Sequence, residues 1–80
     1  MRLEIESTQA SRRHKIGRVH IRYVMATTQP TPITTNRGAQ GWLYVGPDER
    51  DRVLETIAVT TEANTLLVVH ALPYQYREGS

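Results

Sequence analysis

The sequence predicts an α+β fold, in which one or two short helices pack on a three- or four-stranded antiparallel sheet. Two observations favour this class. The C-terminal half contains short apolar or alternating runs divided by turn residues, a pattern typical of successive antiparallel strands. The N-terminal half contains a longer stretch in which helical spacing is also present. The 80 residues predict a single domain spanning residues 1–80. Its core is expected to be thin, because a chain of this length buries only about 60% of the surface that it exposes when unfolded.

The N-terminal part predicts a strand, a short helix and a segment of ambiguous periodicity. Residues 2–6 alternate apolar and polar side chains, as a half-buried strand does. Residues 10–16 follow polar residues that can cap a helix, which favours a short helix there. In residues 17–27 the apolar side chains fit both the alternation of a strand and the three- and four-residue spacing of a helix. Periodicity leaves both conformations open for this segment.

Prolines and a glycine define the middle of the chain. Pro30 and Pro32 exclude a helix and disfavour a central strand, so an extended edge segment is expected around Ile33. Residues 36–38, Asn-Arg-Gly, predict a turn after it.

Three further strands are predicted in the C-terminal half. Residues 41–45 are aromatic and β-branched and end at a Gly-Pro-Asp-Glu turn over 46–49. Residues 52–60 alternate, and residues 62–64 form a second turn. Residues 65–72 are the most apolar run, which favours a central strand covered on both faces.

The composition excludes several classes of site. No cysteine is present, so neither a disulfide nor a cysteine-based zinc site can form. His14, His20 and His70 lack metal-ligand spacing, and neither a metal ion nor another cofactor is expected. The apolar runs fall far short of the roughly 20 residues of a membrane helix, and the N-terminus lacks the apolar core of a signal peptide. A soluble, cytoplasmic protein with no membrane partner is therefore expected.

Positive charge is concentrated in one segment. The formal net charge is only +2, but nine of the ten basic residues are Arg. Residues 11–22 contain five of the ten and no acidic residue. A guanidinium group suits phosphate, so this segment is expected to bind a polyanion or an acidic protein; an ordinary solvated face fits the pattern equally well. The candidate binding residues are Arg12, Arg13, His14, Lys15, Arg18 and Arg22.

The remaining polar side chains suit metal-free cleavage of RNA. In that reaction a base removes the 2′-hydroxyl proton, an acid protonates the leaving oxygen, and cations stabilise the charge on the phosphorane. His70 stands at the end of an apolar strand, where either an acid–base role or a structural, partly buried imidazole fits. Tyr74 and Arg77 follow the same strand and can stack bases and hold phosphate, or close the end of the core.

Two strands carry side chains with competing interpretations. Glu55 shares a strand face with Val53 and Ile57. It is either a buried carboxylate that needs a partner such as an Arg, or a solvent-facing residue. Trp42 and Tyr44 share another strand face and are expected in the core rather than in a surface that stacks bases.

Four blocks of the sequence resemble, in the same order, motifs of one known family. Residues 12–16 (RRHKI) with 21–25 (IRYVM) are similar to "(K/R)HGI…DI.HAL". Residues 41–48 (GWLYVGPD) resemble "LYLGPD", and residues 52–55 (RVLE) resemble "NLLEV". Residues 67–73 (LVVHALP) resemble "LVIHAMP". The motifs are those of the BrnT-like toxins, which are similar to the RelE group.

The resemblance spans about residues 10–77 and implies a RelE/BrnT-like fold in which residues 18–27 are helical. It implies the toxin of a type II toxin–antitoxin system: a metal-independent endoribonuclease that cleaves RNA and blocks translation, with cleavage of free RNA or of ribosome-bound mRNA left open. A cognate antitoxin is the implied protein partner, and an oligomer remains open. By position the resemblance marks His14, Arg52, Glu55 and His70.

The expected site combines three of these positions with Tyr74 and Arg77, which follow the last strand. His70 is expected to act as base or acid, with Glu55 or Tyr74 assisting. Arg52 and Arg77 are expected to hold the phosphate.

Departures from the family pattern keep other functions open. Lys15 replaces a Gly that would end a helix, and residues 17–20 replace an acidic helix start, which removes a cap and a favourable dipole charge. One alternative is a non-catalytic module that binds nucleic acid or protein through the basic face of residues 12–22. Another is a dimerisation domain that uses the sheet edge near Pro32.

Overall fold

The computed structural model describes residues 2–5 and 16–74, which form one helix and five β-strands. In chain order the elements are β1 (Arg2–Ile5), α1 (Arg18–Thr27), β2 (Thr31–Thr34), β3 (Gln40–Pro47), β4 (Val53–Thr60) and β5 (Thr65–Pro73). The expected α+β class is confirmed. The short helix expected over residues 10–16 lies almost entirely outside the described residues.

Helix α1 settles the ambiguous periodicity of residues 17–27 in favour of a helix. Ile21 and Val24 are 2% and 0% exposed, and Met25 packs beside them. Gly17 at the N-cap has no side chain with which to cap the helix, and the first turn has no acidic residue that would interact favourably with the helix dipole. A helix of ten residues is marginal by itself, so the buried face rather than capping holds α1 in place.

The strands form one mixed sheet in the order β1-β5-β4-β3-β2. All neighbours pair antiparallel except β1, which pairs parallel with β5 and sets Leu3 opposite Leu66. The expected three- or four-stranded antiparallel sheet is therefore wrong in strand number and in direction. The strand expected over residues 2–6 forms as β1, but its place in the sheet was not predicted, because nothing in a four-residue alternating run specifies a partner that is sixty residues away.

Strand β2 is the edge segment that the prolines predict. It has four residues, and Pro32 sits opposite Trp42 of β3. An edge strand accommodates Pro because one side of the strand needs no ladder hydrogen bond. The turn expected at residues 36–38 also forms, with Gly38 at a φ of 80°.

The core lies between α1 and one face of the sheet. Its buried members are Ile16, Ile21, Val24, Tyr44, Leu54, Ala58, Val68 and Ala71. Trp42 packs against this cluster and Tyr44 belongs to it, so their expected place in the core is confirmed. Burial raises the pKa of the Tyr44 hydroxyl.

The other face of the sheet, here termed the open face, is covered by no helix or strand of the described part of the chain. The strand pairings place on it Leu43, Val45, Val53, Glu55, Ile57, Val59, Leu67, His70 and Leu72. Val45 and Val53 remain 38% and 42% exposed. Strand β5 is interior, as expected, with β1 and β4 on its two sides. The expectation that β5 is covered on both faces holds for one face only within the residues described.

None of the helical segments in the described ranges is long and apolar enough to cross a membrane.

Candidate active site

A hydrogen-bonded pair of side chains stands on the open face. Glu55 comes from the middle of β4 and His70 from β5, and His70 Nε2 lies 3.0 Å from Glu55 Oε2. In the register, Glu55 pairs with Leu72 and Ile57 pairs with His70, so the two polar residues are diagonal neighbours. Diagonal neighbours on one sheet face are within reach of long side chains. Antiparallel pairing therefore brings together two residues that are fifteen positions apart.

The two members of the pair differ in exposure. Glu55 is 5% exposed, although it lies on the face away from the helix, whereas the His70 side chain is 34% exposed. A buried carboxylate is costly unless it is hydrogen-bonded. When Glu55 is ionised, it accepts a hydrogen bond from Nε2–H, which leaves Nδ1 of the imidazole as the acceptor. With a neutral imidazole in this tautomer, Nδ1 is the basic nitrogen of a side chain that is one-third exposed.

An irregularity in the sheet adjoins His70. Ile57 pairs with His70 and Ala58 pairs with Val68, so Val69 has no partner residue in β4. An extra residue of this kind bends a strand and re-aims the neighbouring side chains, and such bulges are frequent next to active sites. Without the extra residue the alternation of β5 would place Val68 and His70 on the same face. The bulge therefore allows Val68 to enter the core while His70 meets Glu55.

Arg52, expected to hold the phosphate, binds a carboxylate in the turn between β3 and β4. Its Nε donates to Asp48 Oδ2 at 3.2 Å. The same oxygen lies 3.9 Å from His20 Nδ1 of α1, so this contact is on the helix side of the sheet. The strand pairings set Glu55 and His70 on the opposite face.

Asp48 is the residue that fixes Arg52, and its role was not expected from the sequence. It is 2% exposed, and its Oδ1 accepts the backbone N–H groups of Arg50 and Arg52, each at 2.9 Å. Burial raises the pKa of Asp48, but the hydrogen bonds from Arg52 and Arg50 and the charge of Arg52 outweigh it. The pKa therefore lies below the ordinary value of 3.8. The available signal was an Asp directly after Gly-Pro, since Asp side chains close turns of this kind.

A second His–carboxylate group lies on the helix side of the sheet. His20 of α1 contacts Glu49 through Nδ1, and the same nitrogen is 3.9 Å from Asp48 Oδ2. These three side chains offer ligand atoms within 4.8 Å of one another, which sequence spacing could not reveal. The Arg52 guanidinium at Asp48 opposes a divalent cation there. His20, Asp48 and Glu49 therefore form a polar link between α1 and the β3–β4 turn.

The expected basic face is described only in part. Arg18 and Arg22 are exposed one turn apart on α1. They border a cavity of about 450 Å³ that also touches β1, where Glu4 lines it. Tyr74 is half-buried directly after β5. The other expected residues lie outside the described ranges: Arg12, Arg13, His14, Lys15 and Arg77.

Comparison with known proteins gives no match: no family model, no curated protein and no solved structure corresponds to this chain.

Proposed function

We propose that this chain is a metal-independent endoribonuclease, the toxin of a type II toxin–antitoxin system, which blocks translation by cutting RNA. The observation that carries the proposal is the Glu55–His70 hydrogen bond on the open face. The motif resemblance supports the toxin role and a cognate antitoxin as partner.

The attack step needs an oriented base next to an exposed surface. Nδ1 of His70 accepts the proton of an RNA 2′-hydroxyl, the 2′-oxygen attacks the adjacent phosphorus, and the P–O5′ bond breaks. The leaving 5′-oxygen takes a proton from solvent water, and the imidazolium of His70 later returns its proton to solvent. The products are a 2′,3′-cyclic phosphate and a 5′-hydroxyl end. Glu55 keeps Nε2 protonated, holds the ring orientation and stabilises the imidazolium that forms, as a carboxylate does behind a catalytic histidine. No step in this scheme requires a metal ion.

Cleavage of an end-labelled RNA in EDTA tests the proposal. His70→Ala is expected to lower the cleavage rate by about 10²–10⁴-fold, the usual contribution of a general acid or base. Glu55→Gln is expected to lower the cleavage rate less, because the Gln amide oxygen can still accept a hydrogen bond from Nε2–H. Some loss is expected because the neutral amide no longer stabilises the imidazolium. The product ends are expected to be 2′,3′-cyclic phosphates.

His20→Ala is the matched control for this experiment. It removes the other described His–carboxylate contact, on the helix side of the sheet, and is expected to leave cleavage unchanged. Thermal unfolding of each variant checks that the fold persists. If wild-type protein leaves RNA intact and does not stop protein synthesis in a cell extract, the endoribonuclease proposal is wrong.

The second candidate is a non-catalytic module that binds nucleic acid, and the exposed Arg18 and Arg22 favour it. The two guanidinium groups, one helical turn apart, can contact successive phosphates. Arg18→Ala with Arg22→Ala is then expected to weaken RNA binding. The slope of log K against log salt should fall by about 0.7 for each phosphate of a single strand that the variant no longer neutralises. An unchanged slope would exclude these two residues as phosphate ligands, and Arg50→Ala controls for removal of a surface charge elsewhere.

A further inference from the structure

A second cavity opens on the face of the sheet that carries the Glu55–His70 pair. Its volume is about 640 Å³, within the roughly 300–1,000 Å³ of small-molecule sites. The floor is aliphatic and consists of Val59 from β4 with Leu67 and Val69 from β5. Val59 pairs with Leu67, the same-face rung beside the Ile57–His70 rung. Two residues along a strand span about 7 Å, so the cavity begins one rung from the imidazole.

The wall of the cavity is the loop between β2 and β3. Its shape is held by hydrogen bonds between its two ends: Thr35 N–H to Ala39 O at 2.9 Å, and Ala39 N–H to Thr35 Oγ1 at 3.1 Å. Gly38 N–H also donates to Thr35 O at 2.8 Å, with Gly38 at a left-handed φ of 80° that favours glycine. A loop tied in this way presents Asn36 and Arg37 to the cavity from a preformed backbone.

The groups that line the cavity match the parts of a nucleotide. Aliphatic side chains on the floor can pack against the face of a base, while the Asn36 amide offers both a donor and an acceptor to its edge. The Arg37 guanidinium can hold a phosphate oxygen. Arg37 is exposed, and no described acidic residue lines this cavity.

We propose that this cavity binds the base of a nucleotide adjacent to the scissile phosphate of single-stranded RNA, so that it sets the base preference of the cut. The inference rests on the proposed endoribonuclease function and gives that site a substrate-recognition pocket. The base lies over Val59, Leu67 and Val69, Asn36 bonds its edge, and Arg37 holds the phosphate on the path to His70.

The first test is a titration of full-length His70→Ala protein with each of the four nucleoside 3′-monophosphates, followed by NMR. Amide shifts are expected to concentrate at residues 35–39 and at Val59, Leu67 and Val69, with one base preferred. Asn36→Ala and Arg37→Ala should each weaken binding by about threefold to tenfold, the usual effect of removing one hydrogen bond. Arg50→Ala, which removes the same charge from the β3–β4 turn, is the matched control and should bind as His70→Ala does.

The second measurement maps cut sites in an RNA of mixed sequence. The wild type is expected to prefer one base beside the cut, and Asn36→Ala is expected to flatten that preference while the cyclic-phosphate chemistry persists. If RNA is cut but no nucleotide shifts the cavity residues and Asn36→Ala keeps the preference, the pocket proposal is overturned and the endoribonuclease proposal stands. If nucleotides bind in the cavity but RNA is never cut, the cavity is a nucleotide site, and its role in setting a cut preference falls together with the endoribonuclease proposal.

Discussion

Asp48 shows how a single buried carboxylate organises a turn. It accepts two backbone N–H groups and the Nε of Arg52, and these interactions hold its pKa below the ordinary value. A carboxyl group whose pKa is lower in the folded than in the unfolded state stabilises the fold above the unfolded value of about 3.9. That stabilisation is lost as the pH falls through the folded-state pKa.

Because the pKa of Asp48 is lowered in the folded state, the loss of stability caused by Asp48→Asn is expected to depend on pH. At pH 7 the variant is expected to lower the free energy of unfolding by about 1.5–3 kcal/mol, the range for hydrogen bonds to a charged group. The difference from wild type should shrink as the pH falls below about 3.9 and vanish once Asp48 is protonated in both states. Urea denaturation at a series of pH values measures it. Asp51→Asn, an exposed carboxylate in the same turn, controls for net charge; a difference that stays constant at every pH would contradict the prediction.

At the residue scale, the sequence marked Glu55 and His70 for one site but left open whether Glu55 or Tyr74 assists His70, and it did not show that Glu55 and His70 are in contact. Their contact depends on the register of β4 against β5 and on the bulge at Val69, neither of which has a local signal. For Arg52, a motif marked the position but did not indicate what the side chain binds. Its guanidinium group is held by Asp48, which was not expected to be its partner.

Among the elements, α1 and β3 meet at a close contact between Thr28 and Gly46. A Cβ at Gly46 would lie 2.2 Å from Thr28 Cγ2, far closer than carbon atoms approach. Thr28 is also tied to the end of the helix, because its Oγ1 donates to Val24 O at 2.6 Å. The glycine therefore sets how closely the end of α1 can pack on the sheet.

A double-mutant cycle tests this contact. Gly46→Ala is expected to lower the free energy of unfolding by about 1–3 kcal/mol through overpacking. Thr28→Ser removes Cγ2 but keeps the hydroxyl, so it should recover most of that stability in the double variant, as urea denaturation can show. Equal destabilisation of the single Gly46→Ala and the double variant would mean that the clash lies elsewhere.

The strands of the C-terminal half were predictable because their alternation and their turns are local properties. Each expected run coincides with β3, β4 or β5 to within a few residues. Periodicity alone could not predict the helix, because residues 17–27 fit both the helical and the strand pattern. The helix is favoured because it buries Ile21 and Val24 against the sheet, a tertiary contact that has no local signal. The parallel pairing of β1 with β5 could not be predicted, because it joins segments at opposite ends of the described chain.

At the scale of the whole molecule, the two faces of the sheet have different roles. One face and α1 form the core, and the same side holds the Asp48 turn and the His20–Glu49 link. The open face carries the Glu55–His70 pair, the bulge and the larger cavity, together with exposed apolar residues such as Val45 and Val53. The side that stabilises the fold is thus separate from the side where we place RNA.

The parallel pairing of β1 with β5 also bears on the order in which the molecule assembles. The hairpins β2–β3, β3–β4 and β4–β5 each join neighbours along the chain, so each can form as soon as both strands exist. Strand β1 is synthesised before every other described element, yet its partner is synthesised last among them. Closing so long a loop is entropically unfavourable until the other strands are in place, and contacts of large sequence separation form slowly. During synthesis on the ribosome, β1 can therefore pair with the sheet only after β5 has been synthesised.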